Sequence, residues 1–302
     1  MKVFVVGATG YVGAHVAGQL IAAGHDVTGL TRNKDGVSKL QALGARPHPG
    51  DIADLTDLIG QASEADATIF APQLMQEEEH GAVHALLSAY KNTGKTFIFT
   101  SGTGVLGQRT LGEWSDDIFA EDDDFIPCKY IQRRRHTELM TRAASQDGVR
   151  AMVVRPPAIW GHGRHSFLPS LLHSVEKTGK VCYIGRGLDL YSHVHIDDVA
   201  DLFQRVLERG TAGALYHATA GEMNNRVLAE CLSVVLGVET QSVTPAEAFD
   251  LWDSFTVLVR LGVSSRSRSP RSRRELGWAP VNIDLAQEIL DGGLTPRRNV
   301  TA

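Results

Sequence analysis

Cysteine is scarce: Cys128, Cys182 and Cys231 are the three in 302 residues, odd in number and far apart. They form neither a disulfide framework nor a metal-binding spacing, and they fit reduced thiols in a cytoplasmic protein. Positive charge is not in excess either, since 30 Lys and Arg face 35 Asp and Glu, a net charge of −5. That balance argues against nucleic acid and against an anionic membrane surface as partners. No apolar run approaches the roughly 18 residues of a membrane span. The apolar stretch at the N-terminus is too short for a signal peptide and runs straight into a glycine turn. Internal repeats and low-complexity linkers are lacking as well. One local departure stands out, the basic run RSRSPRSRR at 266–274, expected to be a solvated surface segment, with an anion site as the second reading.

What is present begins with the first thirteen residues, MKVFVVGATGYVG. The β-branched apolar run at 3–6 reads as a buried parallel strand. Gly7, Gly10 and Gly13 follow at G-x-x-G-x-x-G spacing, and residues 15–23 read as a helix. In a strand–turn–helix that binds a pyrophosphate, one glycine makes the tight turn and one lets the backbone approach the phosphates. The third lets helix and strand pack closely. Exposed amides at the helix start, aided by the helix dipole, hold the anion. The stretch therefore predicts dinucleotide binding through Gly7, Thr9, Gly10, Tyr11, Val12 and Gly13.

Strand and helix signals alternate through the first half. Strands are expected at 26–30, 67–71, 96–100 and 150–155, and helices at 39–43, 55–62, 80–91 and 130–145, with an irregular acidic stretch at 113–124. This rhythm predicts an α/β fold with a doubly wound parallel sheet. Beyond Pro156 and Pro157 the pattern is broken by Gly161, Gly163, Gly179, Gly185 and Gly187. Later signals are a helix at 195–208 capped near Asp197 or Asp198, a short strand at 214–217, a helix at 226–236 and a mostly helical 246–261. The expected organisation is a dinucleotide-binding lobe at 1–155, with 190–218 contributing to it. A smaller mixed α/β substrate lobe at 156–302 closes over the cofactor.

These segments together resemble the extended short-chain dehydrogenase/reductase family, also called the NAD-dependent epimerase/dehydratase family. The resemblance spans nearly the whole chain. It rests on GATGYVG at 7–13, GDIADL at 50–55, FIFTSGTGVLG at 97–107, PCKYIQRRRHTE at 127–138, VVRPPAIWG at 153–161, HVHIDDVA at 193–200 and RRELGWAP at 273–280. It implies a Rossmann fold. It also implies a nicotinamide dinucleotide held along Ala71, Thr100, Ser101, Pro156 and Pro157, with Asp51 and Ile52 beside the adenine. Relatives that bind NAD end the second strand with an acid for the ribose hydroxyls. Here Thr31 and Arg32 stand there, and a guanidinium suits a 2′-phosphate, so NADP(H) is the expected cofactor.

The family's catalytic set is a Ser or Thr, a Tyr and a Lys. Tyr130 matches the tyrosine that moves the proton at the substrate oxygen. The position four residues on, expected one helical turn away, is Arg134 rather than lysine. Arginine keeps the charge but cannot release a proton. Gly102 stands where the hydroxyl residue is usual, and Thr103 is the expected substitute. Tyr191 replaces an arginine with which nucleotide-sugar relatives grip a diphosphate. An apolar or aromatic carbonyl compound is therefore expected against Gly102, Trp160, Tyr191 and His193. The pairs His162/His165 and His193/His195 lack a third ligand of suitable spacing, so no metal is expected.

The resulting expectation is an NADPH-dependent reductase of a carbonyl or activated double bond in a small molecule. The alternatives are an epimerase, isomerase or dehydratase that recycles a bound cofactor, and a non-catalytic NADP-binding regulator. A monomer or homodimer is expected. The stripe Val83, Leu86, Leu87 and Tyr90 could face either the sheet or a second copy.

Overall fold

The computed structural model describes residues 1–294; 295–302, within the expected second lobe, lie outside the described residues. Seven strands form one parallel sheet in the spatial order Leu215–His217, Arg150–Arg155, Thr96–Thr100, Ala67–Phe70, Lys2–Val6, Asp26–Thr31, Arg46–Pro49. The central strands are apolar on both sides because helices cover both faces. On one face Val16, Ala17 and Leu20 of the Tyr11–Ala22 helix pack with Val199, Phe203 and Val206 of Ile196–Arg209. On the other, Leu58 of Leu55–Glu64 meets Val83, Leu86, Leu87 and Tyr90 of Gln76–Tyr90. That stripe is thus turned inward, to the sheet.

The strand order reverses between Lys2–Val6 and Ala67–Phe70, and such a switch point opens a crevice at the carboxyl ends of the strands. The second lobe stands beyond that edge. Its main sheet has four strands, Gly221–Asn224, Leu190–His195, Ala158–Gly161 and Arg164–His165. Its core gathers Trp160, Phe167, Leu171, Tyr191, Leu232, Trp252 and Leu261. The contribution of 190–218 to the larger sheet therefore begins only after His195.

Several local expectations need correction. The helix expected to hold 39–43 and end at Gly44 is Lys34–Leu43, begun where the Asn33 side chain accepts from the Gly36 amide, whereas the 80–91 helix starts earlier than expected, at Gln76. The expected 130–145 helix is broken. Lys129–Ile131 is a 3-10 turn, Ile131 has φ −128° and ψ 25°, and the α-helix runs Gln132–Ala143. Tyr130 and Arg134 are therefore not neighbours on one helix face. At the next helix, Asp197 and Asp198 lie in the first turn and His195 is the cap, its Nδ1 accepting from the Asp197 amide at 3.2 Å. Asp198 is drawn away to accept from the Val281 and Asn282 amides. The 246–261 segment is a Pro245–Leu251 helix and then a π-helix, Thr256–Leu261, separated at the buried Trp252.

The basic run is not simply solvated. Arg266 pairs with Glu222 through two hydrogen bonds, Arg268 with Asp123, and Arg271 with Asp122 and Glu275. Backbone bonds between Phe119 and residues Arg266 and Arg268 join it to the acidic stretch. The buried Glu121 carboxylate accepts from the Arg271 and Ser272 amides.

Candidate active site

The cleft begins at the glycine turn. Gly7 has φ +87°, and a Cβ there would lie 2.7 Å from backbone atoms of Ala71 and Pro72. A Cβ on Gly13 would lie 2.2 Å from the Gly7 carbonyl oxygen. Only glycine permits this approach of turn, helix and neighbouring strand. Gly10 caps the Tyr11–Ala22 helix without any side-chain hydrogen bond, so the first-turn amides are left for an anion. Thr9, Thr31 and Gly36 converge, for a Cβ on Gly36 would sit 1.8 Å from Thr31 Oγ1 and 3.1 Å from Thr9 Cγ2. This seats Arg32 beside the start of a second helix. Arg32 is exposed, with no ion pair among the described residues. Asp51 is exposed and accepts from the Ala53 amide, and Ile52 packs on the core. The uncapped helix, the Gly7 cradle and Arg32 fit a dinucleotide.

Beyond the next strands lies a cavity of about 200 Å³. Gly102, Thr103, Pro156, Pro157, Arg134, Tyr191 and Phe167 line it, together with Ile131, Phe255, Val259 and Arg260. Thr103 is buried, its amide donating to the Pro156 carbonyl at 3.0 Å, and its Oγ1 is sealed from solvent beside the Tyr191 hydroxyl. Thr100 Oγ1, at the end of the Thr96–Thr100 strand that precedes it, is buried with no hydrogen bond among the described residues. The Tyr191 hydroxyl lies near Gly104, and burial raises its pKa against the influence of Ser265 and Thr103. Gly102 is extended, φ −172°, and a Cβ there would be 3.7 Å from the Pro156 carbonyl oxygen. Space therefore does not demand glycine at 102.

Tyr130 is half-exposed, and its hydroxyl has no hydrogen bond among the described residues; its carbonyl accepts from Gln76 Nε2 at 2.8 Å. Arg134 is not a free cation. It donates from Nε and Nη2 to the two carboxylate oxygens of the buried Glu79, at 3.0 and 2.7 Å. Burial pushes the Glu79 carboxyl up, only partly offset by Arg134. Nothing in the sequence flagged Glu79, which reads as one of three acids in an exposed first turn.

Tyr130 is not among the residues that line the cavity, and further expected residues are likewise placed apart from it. Ser101 donates to Glu138, whose carboxylate is shared with Arg155 and Arg135, and Arg155 reaches on to His217. Trp160 and His193 stand behind the wall, the indole Nε1 donating to His193 Nδ1 at 3.2 Å. Burial pushes His193 down to about 4, against the pull of Glu222 and Asp284. His193 is thus neutral at ordinary pH.

The pair His162/His165 gains no third ligand among the described residues, but His162 has two other neighbours of ligating type. His15, His162 and Asp197 offer ligand atoms within 4.8 Å of one another, because helix, hairpin and helix meet there from distant parts of the chain. His162 Nε2 already shares a hydrogen bond with Asp197 Oδ1 at 2.9 Å.

A model described as the NAD dependent epimerase/dehydratase family matches residues 3–219. A Schizosaccharomyces pombe protein, uncharacterized protein C2A9.02, is 32% identical over 302 residues, covering 96% of this chain and 98% of its own. A 4-hydroxy-2-methyl-3-oxo-4-farnesyl-3,4-dihydroquinoline-1-oxide ketoreductase from Stigmatella aurantiaca is 26% identical, over 73% of this chain and 69% of its own. Among solved structures, the dTDP-glucose 4,6-dehydratase DesIV from Streptomyces venezuelae, with NAD and TYD bound, superposes with a TM-score of 0.77. It is 22% identical, over 96% of this chain and 95% of that one, a likeness of fold.

Proposed function

The chain belongs to the NAD dependent epimerase/dehydratase family, and from that premise we propose that it is an NADPH-dependent reductase of a small organic carbonyl compound or activated alkene. The observation that carries the reading is the cavity itself, where Phe167, Tyr191, Phe255, Ile131 and Val259 stand with Thr103 and two arginines. Thr103 is the hydroxyl residue that such a cavity offers to orient a substrate oxygen, and the aromatic side chains offer an apolar body its contacts. The Stigmatella relative is named a ketoreductase, which agrees with this choice.

The bound nicotinamide supplies the hydride. Residues of this chain do the rest. The amides of Tyr11, Val12 and Gly13 hold the pyrophosphate. Arg32 holds the 2′-phosphate, its planar fork matching the oxygens. Asp51 and Ile52 flank the adenine, and Ala71, Thr100, Ser101, Pro156 and Pro157 border the remaining length of the cofactor. Thr103 orients the substrate oxygen and Tyr130 gives it a proton. Arg134 would hold the ribose, with Glu79 fixing its guanidinium in place. Three free cysteines agree with the cytoplasm as the compartment, and the proposed assembly is a monomer or homodimer.

The test is a pair of titrations and one variant. NADPH should bind more tightly than NADH, and Arg32→Ala should weaken NADPH alone by about 10–100-fold, the worth of a charge-assisted hydrogen bond. Tighter NADH binding, or no loss in the variant, overturns the cofactor assignment. A second reading, a catalytically silent NADP-binding regulator, is favoured by the Glu79–Arg134 pair, which ties up the cation expected to serve Tyr130. Absence of NADPH turnover across a panel of aldehydes, ketones and enones selects it.

A further inference from the structure

The cavity holds one cation whose role the reading above leaves open. Arg260 lies in the last turn of the Thr256–Leu261 π-helix and lines the cavity along with Gly102 and Thr103. It is partly buried, yet it has no hydrogen bond or ion pair among the described residues; its guanidinium lies 5.3 Å from the Phe255 ring centroid. The carboxylate nearest along the chain, Asp253, accepts from the Thr256 amide and hydroxyl, both at 2.9 Å, and acts on Arg260 only through space, without an ion pair. The cavity's other arginine, Arg134, is neutralised by Glu79. Several other partly buried arginines among the described residues are paired: Arg135 with Glu138, Arg266 with Glu222, Arg271 with Asp122. An arginine left unpaired against aromatic and aliphatic walls presents five N–H donors to whatever enters. Short π-helical segments also occur often at functional sites.

We propose that Arg260 is an anion-binding residue of the substrate cavity, and that the substrate is an oxo acid. Its carboxylate lies on Arg260, its apolar body lies against Phe167, Tyr191 and Val259, and its carbonyl lies toward Thr103. The assignment rests on the reductase reading for the fate of the carbonyl, but not for the anion site. A carboxylate fits better than a phosphate ester. It carries one negative charge, which one unpaired cation balances, whereas a phosphate monoester carries nearly two at neutral pH. The planar guanidinium also meets a planar carboxylate through two parallel hydrogen bonds.

Two measurements on the full-length chain loaded with NADP⁺ or NADPH test this. In calorimetry, benzoate should bind at least about tenfold more tightly than benzamide, its neutral isostere, given the worth of a hydrogen bond to a charged group. Arg260→Gln should weaken benzoate by about 10–100-fold on the same basis, and Arg260→Lys should recover part of the loss. In turnover, 3-oxo-3-phenylpropanoate should exceed its methyl ester in kcat/KM. Arg260→Gln should bring that ratio close to one, mainly through KM for the acid. Equal binding of benzoate and benzamide to the unaltered protein overturns the proposal, whatever the variants do. So does an acid-to-ester ratio that survives Arg260→Gln. Arg260-dependent benzoate binding with no turnover of either compound leaves the anion site standing and removes the reductase reading instead.

Discussion

The two ends of the cleft are built from different materials. The nucleotide end is almost all backbone: a glycine turn with Gly7 at φ +87°, an uncapped helix start, and contacts too close for any Cβ. The substrate end is almost all side chain, with Thr103, Tyr191, Arg260 and Phe255 brought together from three separate segments. A site of amides recognises a group that never varies, the pyrophosphate, and it tolerates no change in its own shape. A site of side chains can be rewritten one residue at a time while the fold stays constant. Gly102 illustrates this, since the cleft has room for the hydroxyl residue that the position lacks.

The sharpest way to separate the ends is Tyr130→Phe. It deletes one exposed hydroxyl that makes no hydrogen bond among the described residues, so it should leave stability and NADPH affinity intact. Turnover should fall by about 10²–10⁴-fold, the usual contribution of a general acid. Single-turnover kinetics beside a cofactor titration check both halves. Wild-type turnover in the variant removes Tyr130 from the mechanism.

Next in size is Glu138→Ala, which strikes the buried network lying between the ends. Glu138 and Arg155 are each almost wholly buried. Removing one partner leaves an uncompensated charge, at a cost of about 3–5 kcal/mol, to be read from urea unfolding. The same group sets an acid limit. Burial alone would raise the Glu138 carboxyl, but Arg155, Ser101 and Arg135 outweigh it and hold it below the usual range. The network's stabilisation is thus complete above the unfolded-state pKa of about 4.3 and is lost as pH falls through the lower folded value. Wild-type unfolding midpoints should drop below about pH 4 for this reason. In Glu138→Ala that part of the acid decline should be missing.

The smallest expected effect belongs to the nucleotide end. Gly13→Ala places a methyl where the Gly7 carbonyl oxygen is 2.2 Å away, overpacking worth about 1–3 kcal/mol. NADPH affinity should fall while benzoate binding at Arg260 persists. Equal loss of both would mean that the ends are not independent.

What could be read from the residues follows the same division. The glycine spacing and the alternation of apolar runs announce the parallel sheet, because short-range period and turn chemistry determine those features. The Glu79–Arg134 pair could not be read that way. It joins two helices 55 residues apart, and Glu79 looks like a helix-start acid until the packing buries it. Likewise Tyr130 and Arg134 have the spacing of one helical turn, but the 3-10 geometry at Ile131 breaks the turn. The small four-stranded sheet was hidden by glycines at 161 and 163 that turn the chain between strands rather than end them.

The clasp between the acidic stretch and the basic run has a bearing on how the chain reaches this state. Its contacts span long loops: Arg271 and Glu121 are 150 positions apart, and Arg266 and Ser115 are 151 apart. Closing such loops costs chain entropy before any contact rewards it. The larger sheet, whose neighbouring strands are closer in sequence, has every reason to assemble first. The clasp is then a late event, formed on the downhill side of the folding barrier. Changes that weaken it should hasten unfolding and leave the refolding rate almost untouched, making it a latch on the lifetime of the folded protein rather than a guide to its formation.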